Sequence, residues 1–448
     1  MKNKTLFIVV MLMLVSMISV IPATAQDAVT ELTIWWAEWD PANFLQQIGN
    51  EYEEATGIAV NVVQTPWGSY YDRVGTEWAA QGTSYDMIVG DSQWVGQGVT
   101  QGHYVDLTEF LTTPNADGVA IADTVTPATL SAYGEYPTGS GNYYAYPTEG
   151  DANGFAYRRD LFEDEQNMAD FEAAYGYPLA VPTTWEQLRD IAEFFTRPDE
   201  GLYGVGIYTQ IDYDAITMGF ENVLFSYGAD WKDAENNVLG VVNSPEAVAA
   251  LELYRELYQF TPPGTNNAFF QEMNDAFVAG QAAMIMNYFA FFPALDNPSI
   301  NPYRDSTGYF SMPAGPDGDR YAALGGQGIS VNSYISDERK QASLDFITWF
   351  AQEEIQARWA ELGGYTCNIN VLQSETFLNQ TPYNAAFAET MTFVKDFWNI
   401  PEFGSLLEIA QRYLHAFVVG GESTAQESMD NMAAEMDEVL VEAGYLQE

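Results

Sequence analysis

The chain has 448 residues, 47% of them hydrophobic and 15% aromatic, which excludes wholesale disorder and calls for two lobes or domains rather than one ordinary core. Its 63 acidic and 16 basic residues give a formal charge of −47, which excludes nucleic acid and other polyanions as partners, because these need a basic footprint. Cys367 is the only cysteine and the two histidines, His103 and His415, show no ligand spacing, so no intramolecular disulfide, no ordinary zinc site and no cofactor are expected.

The N-terminus, "MKNKTLFIVVMLMLVSMISVIPATAQ", places Lys2 and Lys4 before an apolar run and ends in Ala23-Thr24-Ala25. This reads as a secretory signal peptide over residues 1–25 with a good cleavage site and a run that is short for spanning, an uncleaved membrane anchor being the alternative. No cysteine lies near the cut to carry a lipid, and no later segment is long and apolar enough to cross a bilayer. A mature, soluble, extracytoplasmic protein is expected. Removing two lysines takes its charge from −47 to −49 and leaves Lys232, Lys340 and Lys395 as its only lysines.

"LTIWWAEWDP" follows, with Trp35, Trp36 and Trp39 inside five residues. Leu32 to Trp36 is apolar, aromatic and β-branched, as strands prefer, and Asp40-Pro41 reads as a helix cap followed by proline in the first turn. Phe44, Leu45, Ile48 and Tyr52 repeat at helical spacing up to Gly57. The tryptophans therefore stand at the carboxyl end of a strand, the edge that faces the ligand crevice in an open α/β sheet. "GIAVNVVQ" alternates like a strand, "YYDRVGTEWAAQG" is helical, and "YDMIVGDSQW" is a buried strand running into a polar-aromatic loop. This alternation predicts a mostly parallel sheet. Further on, "YGVGIYTQ" is a strand. "VPTTWEQLRDIAEFF" opens with the capping pair Thr183 and Glu186, "NSPEAVAALELYRELYQF" with Ser244 and Pro245, and the last helix with Ser423 or Thr424. The turn-rich stretch "DNPSINPYRDSTGYFSMPAGPDGDR" is expected to carry the chain from one lobe to the other.

Six stretches in order carry a resemblance. They are "GNYYAYPTEGDANGFAYRRDLF", "VPTTWEQL", "FVAGQAAMIMNYF", "AALGGQGISVN", "ASLDFITWFAQEEIQARWAELGGYTCN" and the signal peptide before them all. Together they resemble the type 1 extracellular solute-binding proteins, the receptors of ABC importers for sugars and related solutes. The resemblance implies an α/β, two-lobed periplasmic-binding-protein-like fold with a multi-strand hinge and an interlobe ligand cleft. It implies lobe 1 over 26–148 and 307–350, and lobe 2 over 149–306 and 351–448. The chain then crosses near 146–154, near 300–308 and near Phe350. It further implies a monomer that hands a small-molecule solute, a carbohydrate above all, to transmembrane permease subunits. The chain departs from the family's pattern in its acidity, in lacking a lipidation cysteine, and in having Gln327 where many sugar-binding members place an aromatic.

Sugar recognition needs flat apolar faces for stacking, and carboxylates and amides for paired hydroxyls. Adjacent strand residues face opposite ways, so one of Trp35 and Trp36 belongs to the core. Trp36, Trp39 and Trp67 are candidates for the cleft wall, with Asp91 and Trp94 beyond the next strand. Glu149 and Asp151 sit at the expected crossing, where a solvated hinge carboxylate is the plain alternative. Tyr288, the Gly326-Gln327 turn, Tyr365 and, more weakly, Trp231 complete the set. No G-x-S-x-G, H-E-x-x-H, P-loop or G-x-G-x-x-G motif is present, so binding without chemistry is expected. The alternatives are a polyamine or other small-solute receptor of the same fold, since acidic and aromatic walls suit cations, and a secreted glycoside hydrolase with paired carboxylates.

Overall fold

The structure, a computed structural model, describes residues 28–211 and 215–447; the expected signal peptide lies outside them. The amino-terminal half builds strands β1 (Glu31–Ala37), β2 (Ala59–Thr65), β3 (Met87–Asp91) and β4 (Tyr146–Glu149). Strands β5 (Asn153–Arg158), β6 (Tyr203–Gly206), β7 (Ala282–Tyr288) and β8 (Thr307–Phe310) follow, then β9 (Ala322–Ala323), β10 (Gln327–Val331) and β11 (Val394–Lys395). One sheet has the order β2-β1-β3-β10-β4, a second β6-β7-β5-β8, and β11 pairs with β9. Helices pack on both sheets, and the fold is two-lobed α/β.

Parallel pairing holds among β1, β2 and β3, whereas β10 runs antiparallel to both β3 and β4. In the second sheet β5 is antiparallel to β7 and β8. The expectation of a mostly parallel sheet thus gives way to two mixed sheets, with parallel pairing among β1, β2 and β3 in the first and between β6 and β7 in the second. The reason is the hinge: a strand that enters a sheet at the edge where other strands end must run back away from that edge. Both β5 and β10 enter this way.

The first crossing is Gly150 to Ala152, between β4 and β5. The second falls at 324–326, between β9 and β10, where Ala152 bridges Leu324, and not near 300–308. Thr307–Phe310, expected with lobe 1, is hydrogen-bonded into the second sheet, and Phe310 stacks on Phe155 with centroids 5.0 Å apart. Turn-rich composition marks a loop; strand register decides which sheet receives the next strand. The third crossing also comes later than Phe350. Helix Glu353–Leu362 still packs on helix Asp40–Thr56, and Asn384–Thr390 is the first later helix to reach β5 and β8. Trp359 explains this: it is fully buried and stacks on Trp36 at 6.3 Å, which holds its helix to the first lobe.

Local signals held with small shifts. Gly57 ends helix Asp40–Thr56 with φ of 81°, a conformation glycine adopts without steric cost. Its N-cap is Trp39 with no side-chain bond, so Asp40 lies in the first turn and is not the cap. Thr184, one residue beyond Thr183, caps Trp185–Phe195, and Thr424 forms a capping box with Glu427. Asp86, 1% exposed, accepts both Arg339 Nε and Nη2 at 2.6 Å and the Thr33 N–H at 2.7 Å, clamping helix Asp337–Phe350 to the first sheet.

Candidate functional site

The carboxyl ends of β1, β2, β3 and β4 and the start of β10 lie along one edge of the first sheet. Register places Ala37 beside Thr65, and Gln327 beside both Asp91 and Glu149. The residues just past these ends are therefore gathered by the backbone, and they form an aromatic row. Trp36 meets Trp39 edge to face at 5.6 Å, Trp39 meets Trp67 at 5.6 Å, and Trp67 meets Tyr70 at 6.2 Å. Tyr70 and Tyr71 continue to Trp94 at 5.4 and 5.0 Å. The Tyr70 hydroxyl lies 2.8 and 2.9 Å from the carbonyls of Trp35 and Val89, pinning the row to two strands.

Exposure divides this row. Trp39 and Trp67 are half-buried, whereas Trp36 has no exposed surface and Trp94 almost none. Trp36, expected as cleft wall, is instead wedged between β1 and Trp359, and its Nε1–H donates to Gln327 Oε1. Both Trp35 and Trp36 are core, because helices cover both faces of β1. The indole N–H of Trp39 meets no acceptor although the atom itself is buried.

Asp91 caps the turn Ser92–Trp94, accepting from the Ser92 hydroxyl at 3.2 Å and the Gln93 N–H at 3.3 Å. Beside it comes Asp396, one residue past β11. Burial pushes the Asp396 carboxyl up to about 7; the Ser92 hydroxyl opposes this and the Asp91 charge adds to it. Trp398, fully buried, lies under the Lys232 ammonium at 5.0 Å from the ring centre. A cavity of about 590 Å³ opens between helix Pro127–Gly134, residues 230–234 and residues 394–399, with Ser131, Lys232, Lys395, Asp396 and Asn399 on its walls.

The crossings between the sheets lie next to this edge, where Gln327 pairs with Glu149. Glu149 Oε2 accepts the Tyr365 N–H at 3.0 Å, Gly150 N–H donates to Tyr365 O at 2.6 Å, and the Tyr365 hydroxyl donates to Phe289 O at 2.6 Å. Asp151 Oδ1 accepts from Ala152 and Ala290 at 2.8 and 3.2 Å. Both carboxyls are buried, at 0% and 3% exposure, and are therefore not the solvated hinge carboxylates that were the plain alternative. The Tyr288 ring packs so closely on Gly325 that a Cβ there would lie 2.3 Å from it, and a Cβ at Gly326 would lie 1.9 Å from the Tyr133 hydroxyl. Both glycines are required by close approach.

The expected residues thus fall into two groups. Trp36, Trp39, Trp67, Asp91, Trp94 and Gln327 share the edge of the first sheet; Glu149, Asp151, Tyr288, Gly326 and Tyr365 share the crossings. Trp231 is turned away from these groups, fully buried and donating to Glu221 Oε2 at 3.1 Å, with its ring 5.0 Å from that of Phe397. Sequence reasoning missed Tyr133, Lys232, Asp396 and Trp398. A usable signal existed in "VKDFW", where one of the three mature lysines adjoins a carboxylate and two aromatics. Among the described residues, no group of three or more His, Cys, Asp or Glu side chains is arranged to hold a metal ion, and no helix is long and apolar enough to cross a membrane.

Comparison with known proteins places this geometry. The family model for bacterial extracellular solute-binding proteins matches residues 38–357. A probable amino-acid ABC transporter periplasmic-binding protein of Sinorhizobium fredii is 22% identical over 409 residues, covering 89% of this chain and 86% of its own. Among solved structures, an ABC transporter solute-binding protein of Agrobacterium radiobacter K84 in complex with ribitol has a TM-score of 0.75 at 23% identity, covering 92% of this chain and 99% of its own. A maltose-bound T. maritima protein has a TM-score of 0.74 at 22% identity, covering 92% and 100%.

Proposed function

The chain belongs to the bacterial extracellular solute-binding proteins, and from that premise we propose that it captures a sugar or polyol between its lobes and delivers it to the permease of an ABC importer. The observation that carries this reading is the aromatic edge: two half-buried tryptophans, Trp39 and Trp67, on strand ends that also present Asp91 and Gln327. Indole faces cover the apolar C–H surface of a sugar, while carboxylate and amide take its hydroxyls. Half-burial of one tryptophan against a ligand contributes on the order of 2–3 kcal/mol, at ~25 cal/mol per Å² over ~150–250 Å². Trp36 and Trp94 back these faces, and Glu149, Asp151, Tyr288, Gly326 and Tyr365 form the floor the solute approaches. Relatives named for amino acid, ribitol and maltose support a small polar solute and leave its kind to this chain's own walls.

The reading extends to cleavage after Ala25, action outside the cytoplasm as a monomer, and no chemistry on the bound solute. We place the lobe boundaries at the three crossings, at 150–152, 324–326 and 364–383. A cationic solute such as a polyamine is the second reading, favoured by the proximity of Asp91 and Asp396. A thermal-shift screen over polyols, mono- and oligosaccharides, amino acids and polyamines tests both. Stabilisation by a polyol or sugar, recovered unchanged, with a smaller radius of gyration in scattering, is the expected result. Stabilisation by polyamines alone would transfer the case to the second reading, and hydrolysis of an oligosaccharide would make the protein an enzyme.

A further inference from the structure

We propose that the hinge is a proton-binding device: with Glu149 and Asp151 protonated the crossings stay bonded as in this structure, and loss of those protons as pH rises loosens the link between the lobes. The proposal holds whichever solute binds. Each carboxyl fastens the first crossing to something across the hinge. Glu149 holds the third crossing through the Tyr365 N–H, and Asp151 holds the segment after β7 through the Ala290 N–H.

Among the described residues the surroundings supply few donors and no cation. The titratable groups facing the two carboxyls are Tyr133 from helix Pro127–Gly134, Tyr365 and Cys367 from the third crossing, and, through Tyr133, Asp396. All are acids. Lys395, on the strand next to the second crossing, commits its ammonium to Asp230 at 2.5 Å. Glu149 Oε1 and the Tyr133 hydroxyl are both fully buried, and neither meets a hydrogen-bond partner among the described residues. A Cβ at Gly326 would lie 1.9 Å from that hydroxyl and 2.2 Å from the Glu149 backbone carbonyl, so the second crossing packs directly on both residues. Charge in such a setting is costly, because burial strips its hydration and no counter-ion among the described residues makes up the loss. Burial pushes Asp151 up to about 8, its backbone N–H bonds offsetting only part. Burial likewise holds Glu149 well above the usual carboxylate range, with the Tyr365 N–H opposing and Asp151 adding.

The sign follows from linkage. The bonded hinge keeps protons that a hydrated hinge releases near pH ~4. Its advantage is therefore complete below about pH 4 and is lost as pH rises through about 8. Within that window each pH unit shifts the balance by up to about tenfold per acid.

The test needs no solute. Scattering and far-UV circular dichroism of the mature chain are recorded from pH 6 to 9, where ordinary surface carboxylates are already ionised. The wild type is expected to expand at unchanged secondary structure. The double variant Glu149→Gln, Asp151→Asn keeps every acceptor used by Tyr365, Ala152 and Ala290, and is expected to hold its pH 6 radius at pH 9. Should the pair fail to fold, Asp151→Asn alone is expected to reduce the expansion. Asp396 titrates in the same window, so Asp396→Asn is the control and should expand like wild type. A constant wild-type radius, variants that expand in step with it, or expansion abolished by Asp396→Asn alone overturns the proposal.

Discussion

The aromatic edge of the first sheet and the hinge floor lie side by side, joined at Gln327, yet they handle polarity in opposite ways. Along the edge the polar atoms are mostly spoken for: the Trp36 N–H by Gln327 and the Tyr70 hydroxyl by strand carbonyls. What remains open there is mainly apolar face, on Trp39 and Trp67, with one unmatched N–H on Trp39. In the hinge the apolar atoms are all packed, and what remains unmatched is polar, on Glu149 and Tyr133. An edge of this kind responds to a solute's surface; a floor of this kind responds to protons. The lesson is that neighbouring candidates for one site carry different terms of the free energy, so substitutions should separate them.

The largest effect is expected inside the edge itself. Trp36→Ala removes a fully buried indole that touches Trp39 and Trp359 and strands the Gln327 carbonyl. A loss of about 3–5 kcal/mol of stability is expected, read as a lowered urea midpoint at unchanged slope. A loss under about 1 kcal/mol would mean that Trp36 is not the support described here. Next comes the hinge. Gly326→Ala places a methyl 2.2 Å from a backbone carbonyl that cannot swing aside, so a loss of about 1–3 kcal/mol is expected, the cost of overpacking. A neutral result would show that the crossings repack freely, and would dissolve the contrast between a rigid floor and an adaptable wall. The smallest stability effect belongs to Trp39→Ala, since its ring is half-exposed. Its effect should appear in affinity, as at least a tenfold weakening, roughly 1.4 kcal/mol, measured by calorimetry with the solute found in the screen. If Trp39→Ala binds like wild type while remaining folded, the exposed faces are not the recognition surface.

Several features of this site were legible in single residues. Gly57 announced the end of the first helix, and Leu32 to Trp36 announced the strand that precedes it. The tryptophans were rightly assigned to a strand's carboxyl edge. Their division of labour was not legible, because Trp36 and Trp39 look alike until Trp359, more than 300 positions away, is seen to cover one of them. Glu149 and Asp151 were placed at a crossing, but their burial beside Tyr133 and Cys367 was not legible, because no local pattern brings these residues together. Asp396 was missed for the same reason: its meaning comes from Asp91 and Ser92 across the fold.

By itself, then, the sequence determined the elements, the two-lobed class and the family, since these rest on local spacing and on the order of short motifs. Tertiary structure decided where the chain crosses, which way β5 and β10 run, and which tryptophan keeps a free face. Those outcomes depend on strand register and on burial by distant segments. Free energies of that kind are set by what a side chain ends up touching, and no stretch of neighbouring residues encodes it alone.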